Sequence, residues 1–390
     1  METNQRNRGI DTIRGFLLVI MAFDHFIGMW NIFPNFRWIV LTYTFRPLGF
    51  VSALEGFIFI SGLTATLVYL PRLVNRGRSI VQRSILLRTG KIYLWHAITA
   101  IWVGLLFLLC NSLTNNLSDT ARVGHSLFIN SPLIATIKAI SFAYFPPNSA
   151  IEILPMYIFF LGIFVLLIPF IVSFRYWVAL ASVLLWCASF LRFDLLGLHW
   201  PVMMESFNLF SYQVLFFGGA MVGIANFLRP GVMYPRNNSW LIWLQISVPV
   251  IVVFVFFLIR RNLVLELSSE TQKVLLNRDE LTPWTLLNCA ALFYVIGYFI
   301  VRFGHRIGRN WFAFLGQNSL EVFSFHIGLG YSLLIFKNKI NSANVIIQLS
   351  VLGMALISLS IPAIIRSRLT RSKAVAPREL LASFAHRLIL

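Results

Sequence analysis

Apolar residues run in long blocks along this chain, separated by short basic or Pro/Gly-containing segments, rather than alternating with polar ones. A helix that crosses a bilayer needs about 20 mainly apolar residues. That measure predicts ten spans, near 12–31, 47–70, 92–113, 151–173, 176–192, 207–228, 239–259, 283–302, 312–336 and 343–365. The fifth is short. Segment 131–145 is apolar but interrupted by Lys138 and closed by Pro146-Pro147, which predicts an interfacial or re-entrant element. Backbone groups in lipid must be satisfied internally, so the expected fold is an all-α polytopic bundle with no soluble domain. Its membrane domain takes residues 1–366, and 367–390 form a basic cytoplasmic tail.

Composition agrees with that pattern. Hydrophobic residues make up 58% and charged residues 12% of the chain, far from the balance of a soluble domain. The net charge of +18 would suit nucleic acid, but the basic residues sit in short loops between apolar blocks. About two-thirds of the Lys and Arg fall on one side if the N-terminus is cytoplasmic, so N-in and C-in is expected. Nucleic-acid binding is set aside, and a lipid bilayer is the expected surroundings. The first apolar block is too long, and too polar at Asp24-His25, for a signal-peptide core. Cys110, Cys187 and Cys289 show neither pairing nor metal-ligand spacing. No metal is expected.

Ionisable groups at membrane depth face a protein interior or a wet cavity. At a rise of about 1.5 Å per residue, His25 climbs into the outer half of the first span, next to Asp24. Glu55 descends to a comparable depth in the second. Glu152, Tyr157, Asn208, Gln213 and His326 reach the same half from other spans. A different set gathers at the inner edge: Asp11, Arg14, Ser61, Arg88, Lys91, His96, Gln317 and Asn318. Guanidinium and ammonium groups beside amides and hydroxyls suit phosphates. A thioester of coenzyme A has phosphates for that rim and a reactive carbonyl for a deeper imidazole. Such an imidazole could serve as general base toward a hydroxyl or as a transient acyl carrier.

Several motifs resemble known membrane acyltransferases. Asp11-Thr12-Ile13-Arg14-Gly15 with His25 eleven residues after Arg14 resembles the first-helix signature of the acyltransferase-3 superfamily. Glu55-Gly56-Phe57-Ile58-Phe59-Ile60-Ser61-Gly62 resembles its second-helix segment. Arg88-Thr89-Gly90-Lys91-Ile92-Tyr93 resembles its basic motif, with Lys91 keeping the charge but losing the bidentate fork of an Arg. The blocks at Lys91–His96, Glu152–Tyr157, Phe207–Phe216 and Leu315–Phe323 resemble more closely the OpgC-type family.

The resemblance implies a multi-helix enzyme that moves an acyl group, succinyl or acetyl, from cytosolic acyl-CoA to an extracytoplasmic glycan such as a periplasmic glucan. It makes His25 the catalytic imidazole and gives Arg14, Arg88 and Lys91 to the donor. Asp24 and Glu55 are the candidate orienting carboxylates. Plainer readings stand beside these roles: Glu55 as a helix–helix hydrogen bond, Asp11 paired with Arg14, and Gln317-Asn318-Ser319 as interhelical glue. Equally, His96 and His326 could be satisfied bundle residues. The rival function is a proton-coupled secondary transporter that uses the buried histidines and carboxylates as a relay.

Overall fold

The computed structural model describes residues 8–29, 33–36, 49–109, 125–145, 150–191, 193–195, 198–200, 203–204, 207–231, 240–261, 263–264, 268, 270–271, 280–307 and 310–370. The expected span edges at 30–31, 47–48 and 110–113, Cys110 and the tail from 371 lie outside the described residues.

Among the described residues, seven helical stretches are long and apolar enough to cross a membrane: Ala53–Arg76, Arg78–Leu109, Ala150–Leu167, Leu209–Leu228, Trp243–Arg260, Pro283–Phe303 and Val345–Thr370. Three of the ten expected spans fall on shorter or more polar helices. The first is α1 (Arg8–Asp24), whose Arg8, Asp11, Arg14 and Asp24 lower its apolar content; it runs on through a π-helical turn, His25–Met29. The fifth is a 14-residue helix, Arg175–Ala188. The ninth, expected at 312–336, is split in two at Asn318, into Trp311–Gln317 and the 17-residue Ser319–Ile335. The Asn318 side chain donates to the Phe314 carbonyl across the break.

The chain order is α1, α2 (Ala53–Arg76), α3 (Arg78–Leu109), α4 (Ser126–Asn130), α5 (Pro132–Ile140), α6 (Ile153–Leu167) and α7 (Arg175–Ala188). After two short hairpins of two strands each, formed within 193–208, come α8 (Leu209–Leu228), α9 (Trp240–Arg260), α10 (Pro283–Ile307), α11 (Trp311–Gln317), α12 (Ser319–Ile335), α13 (Lys337–Ser342) and α14 (Val345–Ser358). The basic run from Arg78 to Lys91, expected as a loop, is helical and makes α3 32 residues long. That is roughly 48 Å, well beyond the thickness of the bilayer core.

Two backbone-to-backbone contacts build the centre. A Cβ on Gly15 would overlap the Phe312 carbonyl, and one on Gly316 would overlap that of Asp11, so α1 and α11 meet without side chains between them. Gly62 and Gly219 do the same for α2 and α8, against Phe216 and Phe59. Small residues are how helices approach closely where lipid supplies no hydrophobic drive for association.

The element expected at 131–145 and the fourth span prove to be related. Antiparallel to α3, α5 runs from Thr136 beside Gly104 to Ala139, whose carbonyl meets His96 Nε2 at 3.0 Å. The chain bends at Phe142, with φ of 62°, and α6 continues the descent until the Val165 carbonyl accepts from Gln82. From Gly104 to Gln82 is roughly 33 Å along α3, so α5 and α6 together match one crossing broken near His96. Broken backbone at membrane depth is tolerated where protein buries it, and Phe142 and Phe145 pack on the His96 ring here.

Candidate active site

The eleven-residue interval from Arg14 to His25 is about three helical turns, so the two side chains leave the same face of α1. That face meets α12 at two points. Arg14 Nη2 donates to Ser319 Oγ at 2.7 Å, and His25 Nδ1 lies 2.9 Å from His326 Nε2. Ser319 and His326 are two turns apart, so one face of α1 is matched to one face of α12. The two imidazoles are stacked, with centroids 5.1 Å apart and planes inclined by 25°. His326 is 1% exposed while His25 is half-buried, at the start of the π turn. Such turns are frequent at functional sites because they re-aim a side chain within a helix. A hydrogen bond between two neutral imidazoles requires one to donate and the other to accept. If His25 donates from Nδ1, its Nε2 carries the lone pair.

Below this pair is a cavity of about 300 Å³ lined by Arg14, Phe57, Ser61, Arg88, Tyr157, Ser319 and Phe323, among others. Ser61 Oγ donates to Tyr157 Oη at 2.9 Å across it. The Arg14 guanidinium lies 5.7 Å from the Phe57 ring centre. Phe323 bounds the cavity toward the imidazoles, its ring 5.0 Å from that of His326 and 6.5 Å from that of Phe57.

A second cavity of about 610 Å³ shares Arg14, Arg88, Ser319 and Leu320 with the first, and adds Lys91, Gln317, Asn318, Glu321 and Arg366. Lys91 Nζ is 2.6 Å from Glu321 Oε1, and Arg366 Nε is 3.5 Å from the same oxygen. Four cations therefore line the cavity, and two of them pair with its one carboxylate. The start of α1 and the end of the last described helix both contribute to this wall, so the two lie at the same end of the bundle. Fixed cations with amide and hydroxyl donors are the chemistry of phosphate recognition.

The sequence-predicted residues thus fall into two groups. Arg14, His25, Ser61, Arg88, Lys91, Tyr157, Gln317, Asn318 and His326 line the two cavities or the imidazole pair above them. The others are placed in packing and capping contacts. Glu55 is buried and closes a capping box with Ser52 at the start of α2, while Tyr212 Oη donates to its other oxygen at 3.1 Å. Asn208 caps α8, accepting from the backbone N–H groups of Phe210 and Ser211. Gln213 ties α8 to α7 through Ser182. His96 faces the α5–α6 break. Glu152 is buried in the 3-10 turn before α6, and Asp11 is buried where α1 meets α11. Asp24 is half-buried at the last turn of α1.

Sequence reasoning missed Arg366, which lies past the last span and looked topogenic. It also gave no role to Glu321 or to His125, and read Ser319 with Gln317-Asn318 as interhelical glue or function without a partner. His125 is buried, with Nε2 3.1 Å from Tyr331 Oη. Only the tertiary meeting of α12 with α1 and α3 identifies these residues.

Fold and site together define a polytopic membrane protein with a cation-lined cavity under a hydrogen-bonded imidazole pair. The family model described as OpgC protein matches residues 6–371, nearly the whole chain, and the chain belongs to that family. Membership points to a membrane transferase that modifies glucans. No curated protein and no solved structure matches it.

Proposed function

We propose that this protein transfers an acyl group, succinyl or acetyl, from acyl-CoA at its basic end to a hydroxyl of an extracytoplasmic glucan. The observation that carries the reading is the matched pair of faces, Arg14 and His25 on α1 against Ser319 and His326 on α12. They set the imidazole roughly 16 Å above the cationic cavity along α1. Phosphates of the donor sit among Arg14, Arg88, Lys91 and Arg366, displacing Glu321 from the last two. The acyl-bearing arm rises past Ser61, Tyr157 and the Phe57–Phe323 pair toward His25.

His25 then takes the proton of the acceptor hydroxyl as its oxygen attacks the thioester carbonyl. A C–O bond forms, the C–S bond breaks, and the departing thiolate takes the proton back from the imidazolium as free thiol. His326, hydrogen-bonded to His25, fixes its tautomer and shares the transient charge, the part a carboxylate plays in a triad. The fixed cations also exclude the wrong end of the donor from the imidazole chamber.

The test combines binding and chemistry. Succinyl-CoA or acetyl-CoA added to purified protein raises its melting temperature, as a ligand of the folded state must. Mass spectrometry of envelope glucans shows an acyl ester that depends on the gene. No thermal shift with either thioester, alongside proton-driven solute uptake in liposomes, makes the protein a transporter instead.

A further inference from the structure

A third cavity, larger than the two just described, shares no lining residue with them. It has a volume of about 910 Å³ and is bounded by α1, α2, α8 and α10. Its walls are almost wholly apolar, with Leu17, Phe59, Leu63 and Phe293 typical. Along α10 the lining runs from Ala290 to Val301, roughly 16 Å and about half the apolar thickness of a bilayer. Val301 lines it and is also 57% exposed, so the cavity opens sideways onto the lipid-facing surface. Beyond α10 stands α9, whose stretch Trp243–Arg260 has Phe256 as its one buried residue and exposes much of its apolar face.

Polar lining is sparse and lies mostly toward the ends, with Ser52 at one and Asn226 at the other. Three arginines neighbour the lining of the Asn226 end along the chain. Arg229 adjoins the lining residue Pro230, Arg302 adjoins Val301, and Arg8 lies two residues before Ile10. All three arginines are exposed, and they lie at the same end of the bundle as Arg14 and Arg366. An apolar space of this size has too few polar partners to hold ordered water. Basic pockets between transmembrane helices at the cytoplasmic side are suited to anionic lipid head groups.

We infer that this cavity is a binding site for an anionic glycerophospholipid of the leaflet at the basic end. Its acyl chains fill the space between α2 and α10, and its phosphate sits at the Arg8, Arg229 and Arg302 mouth. The inference does not depend on the acyl-transfer reading, since it shares none of the four donor-site cations. The occupant completes the contact between α10 and the α2–α8 pair, which the described residues leave open.

Native mass spectrometry of the detergent-purified chain, together with melting curves in phosphatidylglycerol and phosphatidylcholine nanodiscs, tests it. The expected result is retained anionic phospholipid and a higher melting temperature in phosphatidylglycerol. Ala290→Trp, which fills the cavity from α10, abolishes retention; Ile300→Trp is the second variant should the first fail to fold. The combined Arg229→Gln and Arg302→Gln variant retains lipid but loses the preference for the anionic one by roughly tenfold. Wild-type protein that carries no phospholipid, a Trp variant that carries as much as wild type, or equal stability in the two lipids overturns the inference.

Discussion

Under the proposed transfer, single residues of the site divide into groups that act on the donor and groups that act on the proton. On that reading Arg366 supports the donor through a charge contact. Arg366→Ala therefore raises the KM for acyl-CoA about tenfold, the loss of roughly 1.4 kcal/mol, with kcat little changed in a steady-state transfer assay. His326 acts through His25, so the split is reversed. His326→Ala lowers kcat by roughly 10²-fold, within the usual range for general acid–base assistance, and leaves donor-induced thermal stabilisation intact. His326→Asn, which can still hydrogen-bond, recovers part of that loss. A role for His326 in packing alone predicts that Asn recovers nothing and that melting temperature falls in step with activity.

Within the helices, the family-like motifs resolve into distinct physical tasks. In the α2 segment, Glu55 caps the helix, Phe57 underlies Arg14, Ser61 meets Tyr157, and Gly62 touches the α8 backbone. The shared face of Arg14 and His25 is legible in their spacing alone, because three turns of helix return a side chain to the same side. What they face is not legible there, because α12 follows α1 by some 300 residues and its register depends on the Asn318 break. Glu55 illustrates the converse: a carboxylate at catalytic depth whose oxygens serve a capping box and Tyr212. Pattern gives depth along a helix but not direction around a bundle. Gly15 offers a test of the helix contacts themselves. Gly15→Ala drives a methyl into the Phe312 carbonyl, and forced overpacking costs about 1–3 kcal/mol. The variant melts several degrees lower and loses transfer, whereas Gly28→Ala, with open space around it, changes little.

Across the molecule, the proposed transfer makes the cation-lined cavity the donor end of the bundle and the far side of the imidazole pair the acceptor end. Arg14 and Arg366 come from opposite ends of the chain and meet at one mouth, which makes a shared side for the first and last helices a requirement of the site. Inside-out vesicles therefore consume a membrane-impermeant acyl-CoA supplied from outside, and right-side-out vesicles do not; equal consumption by both contradicts the assigned ends. The most direct measurement is acyl transfer by purified His25→Ala protein, given succinyl-CoA or acetyl-CoA and a glucan acceptor. With His25 as the base, the variant makes no acyl ester while the same thioester still raises its melting temperature. Ester formation at the wild-type rate would contradict that role.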